Sequence, residues 1–176
     1  MPTIGVAIAV PEPYASELQT HRAMFGDPLA LAIPSHITLV PPTEVVDNLD
    51  RVLDHLALVA QRHQAFGLRL RGTATFRPVS AVVFVAVTEG ISACEMLAHD
   101  VRQGPLGQKL EYPYHPHVTV AHHLDESALD EAYDALADYD CAFDVDAFSL
   151  YIHGDDGVWR PEATFALRRA RASIEV

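Results

Sequence analysis

One pattern occurs twice in this chain. His36-Ile37-Thr38-Leu39 and His117-Val118-Thr119-Val120 each run histidine, aliphatic, threonine, aliphatic, on either side of the middle of a 176-residue sequence. Alternation of this kind marks a strand, whose side chains point to opposite faces in turn. His36 and Thr38 therefore share one face, as do His117 and Thr119, while the aliphatic residues share the other. The aliphatic face anchors in a core. Two such strands brought side by side hold two imidazoles and two hydroxyls around one small cavity, and the fold has to permit that meeting.

The residues between the motifs predict how. Residues 3–10 read as a strand, and Pro11 and Pro13 introduce a helix over 14–25 with Leu18 and Met24/Phe25 as its apolar side. Pro34 leads into the first motif strand, 35–40, and Pro41-Pro42 are expected to stop it, since proline cannot donate to a sheet ladder. Leu49, Val52, Leu53, Leu56, Val59 and Ala60 recur at helical spacing and predict a helix over 45–63. Strands follow at 66–76 and 81–88, linked by Phe76-Arg77-Pro78. The second half has the same grammar: a helix over 91–103, breakers at Gly104-Pro105 and Gly107, the second motif strand at 117–122 and a helix over 126–137. Two strands, 141–152 and 158–168, flank the turn Gly154-Asp155-Asp156-Gly157. Each half reads as motif strand, helix, strand pair. The expectation is an α+β chain forming one domain over 1–176, two-lobed and internally pseudo-symmetric.

Composition narrows the function. The net charge is −12, with 24 acidic against 12 basic residues, of which Lys109 is the one lysine. A large nucleic-acid footprint needs clustered Lys and Arg and is not expected; a short phosphorylated ligand in a local pocket is compatible. The basic cluster Arg168-Arg169-Ala170-Arg171 reads as a solvated tail. No apolar run approaches a membrane span, and the first residues lack the basic region of a signal peptide. Cys94 and Cys141 lie in no motif and read as reduced, buried thiols. A cytosolic protein without membrane contact is expected, with a monomer favoured.

Opening a cyclic phosphodiester needs a base for water and an acid for the departing sugar oxygen. Histidine serves either role near neutrality. Threonine hydroxyls donate to non-bridging phosphate oxygens. No metal or other cofactor is required. The rival is a metal site built on His115, His117 and His36, but no Glu or Asp motif accompanies them and threonine is a poor ligand. Strand alternation puts His122 on the face opposite His117. His21, His55, His63, His99 and His153 read as surface or boundary residues.

Pro34-Ser35-His36-Ile37-Thr38-Leu39, Pro116-His117-Val118-Thr119-Val120-Ala121, and Ala74-Thr75-Phe76-Arg77-Pro78 followed by Val82-Val83-Phe84-Val85 together resemble the 2H phosphoesterase superfamily. That family takes its name from two His-x-Thr/Ser-aliphatic motifs and includes proteins called 2'-5' RNA ligases or RNA 2',3'-cyclic phosphodiesterases. The resemblance implies two lobes, each an antiparallel sheet with helices outside, and a central cleft between them. It implies His36 and His117 as catalytic histidines and Thr38 and Thr119 as phosphate-binding hydroxyls. It also implies hydrolysis of 2',3'-cyclic phosphates, with 2'-5' RNA ligation as an alternative; a non-catalytic module that keeps the cleft to bind a nucleotide or cyclic phosphate is the rival reading of the same residues. RNA-acting members often carry an arginine after the second motif. Ala121-His122-His123 stands there instead and, with the acidity, favours a small nucleotide or cyclic phosphate over an RNA 3' end. Tyr114, Phe76, Tyr112 and Trp159 are candidates to stack on a base. Arg77 is a candidate phosphate clamp.

Overall fold

The computed structural model describes residues 1–46 and 48–169. The strands are β1 (Thr3–Ala9), β2 (His36–Glu44), β3 (Phe66–Thr75), β4 (Val82–Glu89), β5 (His117–His122), β6 (Asp140–Val145), β7 (Ala147–His153) and β8 (Trp159–Ala166). The α-helices are α1 (Tyr14–Met24), α2 (Leu49–Arg62), α3 (Ile91–Val101) and α4 (Glu126–Ala135). They build two antiparallel four-stranded sheets, ordered β2-β1-β7-β8 and β5-β4-β3-β6. The motif strands β2 and β5 hold the corresponding edge of each sheet, and these two edges approach one another. Two lobes with a pseudo-symmetric arrangement are therefore present, with helices packed on the sheets. Among the described residues no helix is long and apolar enough to cross a membrane.

The lobes are not the halves of the chain. The first sheet takes β1 and β2 from the beginning and β7 and β8 from the end, while the second is continuous, from β3 to β6. The cause lies in the segment expected as one strand over 141–152. It breaks at Asp146, whose carbonyl accepts from the Leu167 N–H at 2.8 Å. Before the break the inward residues are Cys141 and Val145; after it they include Phe148 and Leu150. The alternation slips by one residue, and a strand cannot keep both phases on one core face.

The prolines also behave differently from expectation. β2 continues through Pro41-Pro42 to Glu44. At an edge the missing N–H faces no partner, and both prolines fall where the pairing of β1 with β2 slips between Ile4 and Val6, so no ladder bond is lost. In α1 the buried stripe is Leu18, Arg22 and Phe25, not Met24, which is 72% exposed. Helix α2 starts later than expected because the Asn48 side chain accepts from the Asp50 N–H at 2.9 Å and caps it there. Its buried residues Val52, Leu56, Val59 and Ala60 join one continuous core with Leu97, Ala98, Val118 and Val120. Cys94 and Cys141 are free and buried. Arg168 has an exposed side chain, but its backbone is pinned: its N–H donates to His63 O and its carbonyl accepts from Ala65 N. The rest of the predicted basic tail, Ala170 and Arg171, lies outside the described residues.

Candidate functional site

The motif strands are built alike down to their irregularities. In β2, Thr38 faces Ala7 but Val40 faces Val6, which leaves Leu39 as an extra residue. In β5, Thr119 faces Phe84 but Ala121 faces Val83, which leaves Val120 extra. Both are β-bulges at the fourth motif position, and both strands show the same run: half-buried His, buried aliphatic, half-buried Thr, then two buried residues. A bulge reverses the alternation beyond it. That reversal moves His122 from the expected opposite face into the same cavity as Thr119.

The loop before each motif fixes the imidazole. The Nδ1 atom of His36 lies 2.8 Å from Pro34 O, and that of His117 lies 2.7 Å from His115 O. A carbonyl only accepts, so Nδ1 carries the proton in both rings and the neutral form presents Nε2 as its basic nitrogen. The Pro34-Ser35 segment is itself braced by α1: Gln19 Nε2 donates to Ile33 O at 2.7 Å, and Ser35 Oγ donates to Gln19 Oε1 at 3.0 Å.

Two cavities meet at Thr38, which lines both. The smaller, about 280 Å³, is lined by His36, Thr38, Thr119, His122 and Arg22, with Tyr151 and Trp159 on its apolar wall. Gly5 permits that wall: a Cβ there would lie 3.3 Å from Trp159 Cζ3. The larger cavity, about 520 Å³, is lined by Thr38, His117, His115, Phe76, Tyr114 and Arg102, among others. His36 and His117 thus line different cavities that share one threonine.

Their surroundings differ. Desolvation lowers the His36 pKa to about 4, helped by the nearby charge of Arg22 and by His117. Desolvation also lowers the His117 pKa, and the charge of His115 acts in the same direction; aromatic rings pack around it. The Phe76 and Phe84 ring centroids lie 5.0 and 5.1 Å from that of His117.

Tyr114 takes a role that spacing alone does not reveal. Its hydroxyl donates to the Thr38 carbonyl at 2.8 Å, joining the segment before β5 to the free edge of β2. Tyr112 stands at the rim of the larger cavity and is 61% exposed. Arg77 is not brought to either cavity. Its guanidinium pairs with Glu126 at 2.9 Å and Asp130 at 2.8 Å, both on α4, and its Nε donates to Thr75 Oγ1. Arg22 is the cation that lines the smaller cavity together with the motif threonines instead. The sequence signal for it is a charged residue at helical spacing between Leu18 and Phe25, inside the buried stripe of α1.

Comparison with known proteins agrees with this arrangement. The family model of the 2'-5' RNA ligase superfamily matches residues 10–157. A provisionally named phosphoesterase of Bacillus licheniformis is 31% identical over 144 residues, spanning 80% of this chain and 85% of its own. Among solved structures, a Thermus thermophilus protein superposes with a TM-score of 0.69 at 20% identity, covering 96% of this chain and 100% of its own. Escherichia coli LigT, solved with 3'-AMP, superposes with a TM-score of 0.63 at 20% identity, covering 95% and 99%. The chain belongs to the 2'-5' RNA ligase superfamily of 2H phosphoesterases.

Proposed function

We propose that the protein is a metal-independent phosphoesterase that opens cyclic phosphodiesters, with 2',3'-cyclic nucleotides as the first class of substrate. The observation that carries this is the pair of motif histidines in two cavities that share Thr38, each with Nδ1 tied to a carbonyl and Nε2 left for chemistry. The phosphate sits between Thr38 and Thr119, whose hydroxyls donate to its non-bridging oxygens. One Nε2 takes a proton from water as the water oxygen bonds to phosphorus. The bond from phosphorus to a ribose oxygen breaks on the far side, and the other imidazolium protonates that oxygen. The product is a phosphomonoester.

The nearest charges support a division of roles. His36 stands beside a fixed cation, which favours its neutral form and makes it the base. His117 has no fixed cation among the groups that shift its pKa and is left to be the acid, delivering its proton to the leaving oxygen. The larger cavity then takes the leaving side of the substrate. Phe76, Tyr112 and Tyr114 offer faces for a base, and Arg102, with Cζ 5.0 Å from the Tyr114 ring centre, offers a charge for an anionic group. That LigT has been solved with 3'-AMP supports a nucleotide, and the net charge of −12 favours a small one over a long RNA.

The test is hydrolysis of 2',3'-cyclic nucleotides in EDTA, followed by phosphorus NMR, for wild type, His36→Ala and His117→Ala. Turnover should survive EDTA and fall by roughly 10²–10⁴-fold in each variant. Loss of activity in EDTA, or full activity in either variant, would refute the paired-histidine scheme.

A further inference from the structure

We propose that Arg22 is a phosphate-binding residue of this site and that Asp27 is the residue that positions it. The proposal rests on the phosphoesterase reading above and adds to it the fixed cation that the stretch after the second motif lacks.

Arg22 lies in α1, far in sequence from both motifs, yet it lines the cavity that holds His36, Thr38, Thr119 and His122. Its side chain is 5% exposed and that of Asp27 is fully buried. Nε donates to Asp27 Oδ2 at 2.8 Å. Nη1 and Nη2 make no hydrogen bond to the described residues. No buried side-chain nitrogen or oxygen among those residues lacks a partner, so the two Nη atoms open onto the cavity rather than into the core. A guanidinium anchored by one edge, in a cavity that two threonines also line, keeps its other donors for the bidentate grip that arginine gives a tetrahedral anion.

Asp27 does not compete with the substrate for this grip. Its Oδ1 accepts from the Leu29 N–H at 2.9 Å, and Oδ2 accepts from the His122 N–H at 3.1 Å as well as from Arg22. Asp27 is not among the residues lining the cavity, and three donors already engage its oxygens. The His122 N–H belongs to β5 just past its bulge, so one carboxylate sets the guanidinium relative to the second motif strand. A burial this complete is costly for a charge that only ties a helix to a sheet, since apolar side chains of the same volume do that as well. An anion in the cavity gives the buried charge its use.

Inorganic phosphate is the probe, because its binding needs no turnover. Thermal melts with and without phosphate would be recorded for wild type, Arg22→Lys and the double variant R22Q/D27N, alongside kcat and KM for a 2',3'-cyclic nucleotide. The double variant removes both charges while leaving a polar side chain at each position, so it leaves no orphaned carboxylate to unfold the protein. Phosphate should raise the wild-type melting temperature and leave that of R22Q/D27N unmoved. The kcat/KM of the double variant should fall about 10²–10³-fold, as for loss of a transition-state donor. Arg22→Lys, which keeps the charge and loses the fork, should fall between. A double variant that melts near wild type, keeps its phosphate shift and keeps its kcat/KM would overturn the proposal, as would a wild type that phosphate does not stabilise. A phosphate shift that depends on Arg22 in a protein that opens no cyclic phosphate would uphold the clamp while removing the reaction assigned to it.

Discussion

Tyr114→Phe isolates one hydrogen bond that ties the segment before β5 to β2. The hydroxyl donates to Thr38 O at 2.8 Å, and Thr38 lies on the edge strand of its sheet, where no further strand supplies a donor. Phenylalanine keeps the ring in place, so the aromatic wall of the larger cavity is unchanged. The lost hydrogen bond and the carbonyl left short of a partner together destabilise by about 2 kcal/mol. For a chain of this size that lowers the melting temperature by about 4–8 °C. The same change loosens Thr38 against the β5 side of the cleft, so kcat should fall more than binding weakens. Differential scanning calorimetry and steady-state kinetics on the purified variant read both effects. A shift below about 1 °C with unaltered kcat would show that the bond neither supports the fold nor places the threonine.

Three further outcomes follow from the structure. Thr38→Val and Thr119→Val each remove one hydroxyl at nearly constant volume and should lower kcat/KM by about 10²-fold, less than loss of a histidine, as measured on the same cyclic nucleotide. Stability should decline as pH falls from 6.5 towards 4: His36 is held near 4 in the folded chain against 6.5 when unfolded, so the unfolded state binds the extra proton across that window. Chemical denaturation at pH 7 and pH 5 should show the loss, and His36→Gln should reduce it, leaving the share of His117, which is also lowered. Gly90→Ala should destabilise by about 2 kcal/mol by urea unfolding, because Gly90 sits at φ +89° and a Cβ there would lie 2.7 Å from Gly67 O.

Much of the architecture was legible because alternation is a local signal. The motif strands, the α2 stripe and the β3–β4 pair follow directly from residue periodicity. What alternation cannot register is a single inserted residue. Leu39 and Val120 each read as ordinary members of a strand, yet as bulges they turn the following chain and bring His122 into the cleft. Asp146 likewise interrupts what reads as one strand and sends its two parts to different sheets. Arg77 looked like a clamp from its position beside Phe76, but Glu126 and Asp130 on α4 take up its charge. Arg22 was hidden for the opposite reason. Its partners, Asp27 and the His122 N–H, come together only when α1 packs on β5.

The crossing of the chain at Asp146 also orders events during synthesis. The second sheet is complete once residue 145 has emerged, whereas β1 waits for β7 as its second neighbour. A ribosome-bound chain can therefore close one lobe early and must hold β1 and β2 as an unfinished pair until the last strands arrive, a pairing too small to be stable alone. Arrest before residue 147 would leave both His-x-Thr motifs already made and no cleft between them.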